Sequence, residues 1–192
     1  ERAWPIVSAI GEQVRATTSS RERAAARLEQ VDQAIRHLRE RWSGLQALGA
    51  KEPAWGQAAD KLAIELSVAQ EMMAPRTLAA YEAGIEAVNL LSDRADALGE
   101  QLDQLAEWME RSRETIVGDL QRLADAQASV DDLADGDPTL EPDCSVALIE
   151  QAHRCYTEAE RLRAAGTLTG YQQAFDLAGE GHGHLEEARE RL

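Results

Sequence analysis

Aromatic side chains are scarce in this sequence: Trp, Tyr and Phe make up 4% of 192 residues, with a single Phe. A compact core of that size draws more heavily on aromatic bulk, so a thin core lined by Leu, Ile, Val and Ala is expected. There are only two cysteines, Cys144 and Cys155. Two thiols exclude a disulfide framework and leave the compartment open. No stretch approaches the roughly 18 apolar residues that a membrane span needs, so no direct membrane insertion is expected. Positive charge is in short supply, with 20 Lys and Arg against 35 Asp and Glu, for a net charge of −15. A chain with that balance is repelled by nucleic acid phosphates and by anionic lipid. Its arginines, such as Arg21, Arg23, Arg27, Arg36, Arg39 and Arg41, alternate with Glu in the manner of a solvated helix face. No secretory signal is visible, and the sequence starts at Glu1 rather than Met, so it reads as a segment of a longer protein. That leaves localisation open, either cytoplasmic or envelope-associated through segments outside these residues.

What is present in abundance is Ala, Leu, Glu, Arg and Gln, the good helix formers. The chain is organised around Ala74-Pro75 and the following Thr77-Leu78-Ala79-Ala80-Tyr81, with a degenerate copy, Thr167-Leu168-Thr169-Gly170-Tyr171, ninety residues later. Over residues 69–102 against 159–192, seven of 34 positions are identical. The match coincides with breaks at Pro75 and Gly166, which makes the two stretches equivalent bends of a repeated helical unit.

Taken in order, the apolar positions Val7, Ile10, Val14, Thr17, Ala24, Leu28, Val31, Ile35, Leu38, Trp42 and Leu45 alternate spacings of three and four, the heptad seam. They predict one long helix over 6–48, with Thr17-Thr18-Ser19-Ser20 as a possible irregularity. Gly49 and Pro53 end it and open a second helix over 53–74, which the short loop forces antiparallel to the first. Pro75 removes a hydrogen-bond donor and crowds the preceding turn, so the chain is expected to turn there. A third seam then runs from Tyr81 to Val130, including Ile116, Leu120, Leu123 and Gln127, and predicts an unbroken helix over 76–133. The stretch 134–143, with Gly136, Pro138 and Pro142, is a loop. Helices over 144–165, with Val146, Ile149, His153, Tyr156 and Ala159 on one face, and over 167–192 follow. The last is expected to be weak at Gly179, Gly181 and Gly183.

Folded at these breaks, the chain reads as all-α: two tandem antiparallel three-helix bundles sharing one long continuous helix. The first repeat takes residues 1–100 (helices 6–48, 53–74 and 76–100). The second takes 101–192 (helices 101–133, 144–165 and 167–192). Repeats of this plan contact only their neighbours. With the bend and aromatic of Leu162-Arg163-Ala164-Ala165-Gly166-Thr167-Leu168-Thr169-Gly170-Tyr171, the chain resembles spectrin-like helical repeats. Within bacteria it is similar to the rods of septation-ring regulators of the EzrA type and to the helical tails that follow TPM domains in envelope proteins. The resemblance implies an architecture and carries over no functional residue.

Chemistry is sparsely encoded. Cys144, His153 and Cys155 lack zinc-ligand spacing, and His153 and Cys155 diverge around a helix. His182 and His184 are the weak metal candidates, but residues two apart on a helix do not share a face. Asp135-Gly136-Asp137 sits in an acidic turn without the calcium-loop order. No P-loop, nucleophile elbow or dinucleotide fingerprint occurs. Trp42 and Trp55 flank the first helix-helix loop, either as core that closes the bundle end or as a partner surface. The chain is therefore expected to be no enzyme and to need no cofactor. It reads as a structural and protein-interaction rod whose partners are other proteins or copies of itself. The alternative is a helical sensor or signalling domain that relays a conformational change.

Overall fold

The computed structural model describes residues 3–136 and 143–191. The expected turn with Pro138, Pro142 and Asp137 lies outside them. Five helices account for the rest: α1 (Ala3–Ala47), α2 (Ala54–Met72), α3 (Leu78–Gly136), α4 (Asp143–Ala164) and α5 (Leu168–Arg191). Among the described residues there is no strand, and no helix is long and apolar enough to cross a membrane. The all-α expectation holds. The chain divides into two compact units, Glu1–Gly44 with Pro53–Leu102, and Leu45–Glu52 with Asp103–Leu192.

In the first unit, Ala24, Val31, Ile35, Leu38 and Trp42 of α1 are buried. So are Ala59, Leu62, Leu66, Ala69 and Met73 on α2, and Tyr81, Val88, Leu91, Ala95 and Leu98 on α3. All keep heptad spacing, so each helix lays one stripe against its neighbours. Polar links on the rim record the register. Arg39 Nη2 meets Asp60 at 2.6 Å, Arg27 Nε donates to Asn89 Oδ1 at 3.0 Å, and Arg94 pairs with Glu65. These pairs join α1 to α2, α1 to α3 and α2 to α3. Exposed pairs of this kind contribute at most about 1 kcal/mol each, so apolar burial carries the stability.

The turn at Pro75 is complete. α2 ends with Ala74 N–H donating to Glu71 O at 3.0 Å and Arg76 N–H to Met73 O at 3.1 Å. Arg76 then adopts a left-handed φ of 55°. Thr77 caps α3, its Oγ1 accepting from Ala80 N–H at 3.2 Å. The second copy does the same: Gly166 has φ 72°, and Thr167 Oγ1 accepts from Gly170 N–H at 3.0 Å. A left-handed residue followed by a threonine cap is thus the physical content of the repeated motif.

α1 runs unbroken as the single long helix expected, and one expectation fails along it. The Thr17–Ser20 stretch is regular helix, because the Thr17 and Thr18 hydroxyls donate back to Gln13 O and Val14 O. The seam before it is uncovered: Ile6, Val7, Ile10 and Val14 are between 57% and 62% exposed. The α2–α3 turn, with Arg76, Thr77 and Leu78, faces α1 at residues 10–18 across an open groove. Among the described side chains of α1, the first that is buried is Ser20.

The second unit packs Ile116, Leu123, Ala126 and Val130 of α3 with Ile149, Ala152, Tyr156 and Ala159 of α4 and Ala174, Ala178, Leu185 and Ala188 of α5. Two of the seam positions that differ from expectation follow one pattern. His153 is exposed while Ala152 is buried, and Gln127 is exposed while Ala126 is buried. In both cases the small apolar residue one place earlier takes the inward position, which avoids burying a polar group. α5 runs unbroken through its glycines. Gly181 is buried against α4, where an added Cβ would come within 2.9 Å of the Tyr156 ring and 3.1 Å of Cys155. The glycine that weakens the helix therefore admits the bulkiest fully buried side chain of this unit.

The segment Leu45–Glu52 belongs with this second unit. It closes α1 in a Schellman turn, with Ala50 N–H donating to Leu45 O and Gly49 N–H to Gln46 O, and with Gly49 at φ 113°. It then docks on the α4–α5 turn. Lys51 N–H donates to Gly166 O at 2.7 Å and Lys51 Nζ to Ala164 O at 2.7 Å. A Cβ on Gly166 would lie 2.5 Å from Gly49 O, so this approach as well as the backbone angle requires glycine.

Candidate functional site

The chemistry-bearing side chains that the fold brings together lie in the second unit. Continuing the spacing of Ser112 and Ile116 along α3, the next inward position is Asp119, only 3% exposed. Arg122, one turn on, places Nη1 2.8 Å from Asp119 Oδ1. From α5, His182 Nδ1 approaches the same oxygen at 3.2 Å and Arg122 Nη1 at 3.2 Å. Nδ1 can donate to the carboxylate or accept from the guanidinium, according to the tautomer. A shallow cleft of about 360 Å³ opens over the group, with Gly118, Gly179 and Glu114 in its walls.

Tyr156 approaches from α4. Its ring is fully buried, and its hydroxyl lies near Asp119 without a well-formed hydrogen bond to it. Burial, and after it the nearby Asp119 charge, push the hydroxyl far above the usual phenol range. The phenol therefore stays neutral. On the same unit, the Cys155 thiol is raised by burial and then by Glu180. That shift makes it a poor thiolate and a poor nucleophile.

The Asp119 carboxylate is paired with the Arg122 guanidinium and the His182 imidazole, and among the described residues no hydroxyl or thiol hydrogen-bonds His182. Among the described residues no group of three or more His, Cys, Asp or Glu could hold a metal ion.

Of the residues singled out from sequence, His182 joins this cluster. His184, also on α5, is partly exposed and forms no hydrogen bond or ion pair with a described residue. The Cys144 side chain and Asp137 lie outside the described residues. Trp42 is 7% exposed and packs its ring against Gly56, so it is core and offers no face to a partner. Trp55 is half-buried on α2. Trp108 stacks edge-on with Phe175 at 5.6 Å and lies under the Arg111 guanidinium. Asp119, Arg122 and the Tyr156 hydroxyl were not picked out from sequence. The available signal was an acid at a heptad core position, 116-119-123, where the expected seam ran through Leu120.

Comparison with family models, curated proteins and solved structures finds no match to this chain.

Proposed function

We propose that this chain is a non-catalytic structural and protein-interaction module, a spacer made of two tandem three-helix units of the spectrin-like kind. One observation carries the reading. α3 is a single helix of 59 residues, about 88 Å at helical rise, and its two parts supply core to two different units. A helix of that length suits separation of attachment points better than enclosure of a substrate. The partners are other proteins or further copies of the chain, engaged through helix faces. The polar cluster of the second unit supports the same reading, since its charges are paired with each other and no reactive group stands free.

Small-angle scattering tests the proposal. A spacer gives a radius of gyration well above the roughly 16 Å of a compact chain of 192 residues. A value near 16 Å refutes it.

A second reading, a helical sensor that relays a conformational change, draws on the burial of Asp119 between Arg122 and His182. Buried ion clusters are costly to keep and are a known means of holding a packing in one of two arrangements. If that is their role, Asp119→Asn shifts the amide spectrum of α5 without unfolding the unit. Unfolding alone, or no change, counts against it.

A further inference from the structure

The second unit contains a cavity of about 310 Å³ that is distinct from the Asp119 cleft. One wall is apolar: Leu45 and Leu48 at the end of α1, and Ala106 and Met109 on α3. The other carries Arg113, Arg163, Tyr171 and Glu110. Several arginines of this chain, among them Arg36, Arg39 and Arg94, pair with a carboxylate. The side chains of Arg113 and Arg163 form neither an ion pair nor a hydrogen bond with any described residue. Arg163 Nε is buried and has no hydrogen-bond partner. Arg163 and Arg113 both line the pocket, and a guanidinium without a carboxylate partner can take a ligand anion in a charge-assisted bond. Tyr171 is 3% exposed, and its hydroxyl makes no hydrogen bond with a described residue. Tyr171 and Arg163 line the same pocket, where burial raises this hydroxyl and the Arg163 charge offsets part of that rise.

From these groups we infer that the cavity binds a small amphipathic monocarboxylate. Its apolar body lies against Leu45, Leu48, Ala106 and Met109, and its carboxylate is held by Arg163 and Arg113, with the Tyr171 hydroxyl donating. Two arginines and one glutamate give the cavity a single net positive charge, which selects one carboxylate over two. The volume lies at the small end of the range for organic ligands, which suits a body of one ring or a short chain. The inference does not rest on the spacer reading, since a spacer can carry a ligand site in one of its units.

The test is a titration of the full chain with 4-phenylbutyrate, followed by backbone amide NMR, with 4-phenylbutyramide as the uncharged control. Binding is expected to saturate, with shifts centred on Leu45–Gly49, Ala106–Arg113 and Tyr171. The amide should bind at least about tenfold more weakly, because it cannot replace the charge-assisted bond. Arg163→Gln should weaken the acid by a similar factor, with the amide unaffected. Glu110→Gln should tighten the acid a few-fold by removing a repelling charge, and this exposed substitution leaves the fold intact. Equal binding of acid and amide, shifts centred elsewhere, or no saturation overturns the inference. If Arg163→Gln does not fold, the opposite responses of Arg113→Gln and Glu110→Gln decide the matter, and failure of both to move the affinity also overturns it.

Discussion

α1 carries one heptad seam from end to end, yet its two parts live in different surroundings. From Ala24 to Trp42 the seam positions are buried apart from half-buried Leu28, with Val31 and Ile35 each 1% exposed. From Ile6 to Val14 the same alternation of residues stands between 57% and 62% exposed. Backbone hydrogen bonding is continuous across both, so the helix itself does not depend on cover. The comparison separates what periodicity determines, the side of a helix that wants a neighbour, from what it leaves open, whether a neighbour is there. The covered part is stabilised by α2 and the first part of α3, and that cover stops at the turn around Pro75.

Core truncation should break the symmetry of the seam most strongly. Ile35→Ala removes three methyl or methylene groups from a closed site and is expected to cost about 3 kcal/mol, the transfer loss plus a cavity. Val14→Ala, at an equivalent seam position, should change stability by less than about 0.5 kcal/mol, and in the favourable direction, since Ala is the better helix former. Urea denaturation followed by helical circular dichroism measures both. Equal costs would mean that the first part of α1 is packed in solution, and the contrast would vanish.

The same distinction explains what was legible in the sequence. All five helices were readable within a few residues of their ends, because Gly49, Pro53, Pro75 and Gly166 act locally on the backbone and the 3.6-residue period is a property of each helix alone. The turn at Pro75 was readable for the same reason. The exposed start of α1 was not, since Ile10 and Ile35 look alike until the partner helices are placed. The grouping of Leu45–Glu52 with the second unit was likewise hidden. It depends on Lys51 reaching Gly166 O, a contact between residues 115 apart in the chain. The candidate site suffered most. Choosing Leu120 over Asp119 as the seam residue favoured hydropathy over strict spacing, and with that choice Arg122 and Tyr156 dropped from view. Nothing local in the sequence reveals that Arg163 lines a pocket.

A covered seam need not be a contented one, and Tyr156 sharpens the comparison on that point. Its hydroxyl is buried without a well-formed hydrogen bond, so Tyr156→Phe should stabilise the chain at neutral pH by about 1 kcal/mol, removing an unsatisfied donor while keeping the ring against Gly181. The pH dependence has a definite sign. The hydroxyl is held above its ordinary value in the folded chain, so the unfolded chain gives up that proton first. The contribution is fully present below about pH 10, the ordinary phenol value, and is lost as pH rises beyond it. Tyr171 is raised by burial as well and adds to the same alkaline limb. Thermal melts of wild type and Tyr156→Phe between neutral and strongly alkaline pH should diverge, the variant holding its stability further. Parallel curves would show that the phenol is solvated in the folded protein.

The smallest expected effect lies at the turn where cover for α1 ends. Arg76 sits there with a φ of 55°, a left-handed conformation that costs a side-chain-bearing residue about 1 kcal/mol or more. Its counterpart in the second repeat is Gly166, which adopts φ 72° without that cost. Arg76→Gly should therefore stabilise the first unit, but by only about 0.5 kcal/mol, because glycine also gives the unfolded chain more freedom to lose. Gly166→Arg, the reverse exchange, should be destabilising by considerably more, since the approach of Gly49 O leaves no room for a Cβ. Measured side by side in urea, the two substitutions test whether the bends are equivalent in backbone conformation and different only in what crowds them. A destabilising Arg76→Gly would instead mean that the arginine side chain makes a contribution at the turn larger than the strain it carries.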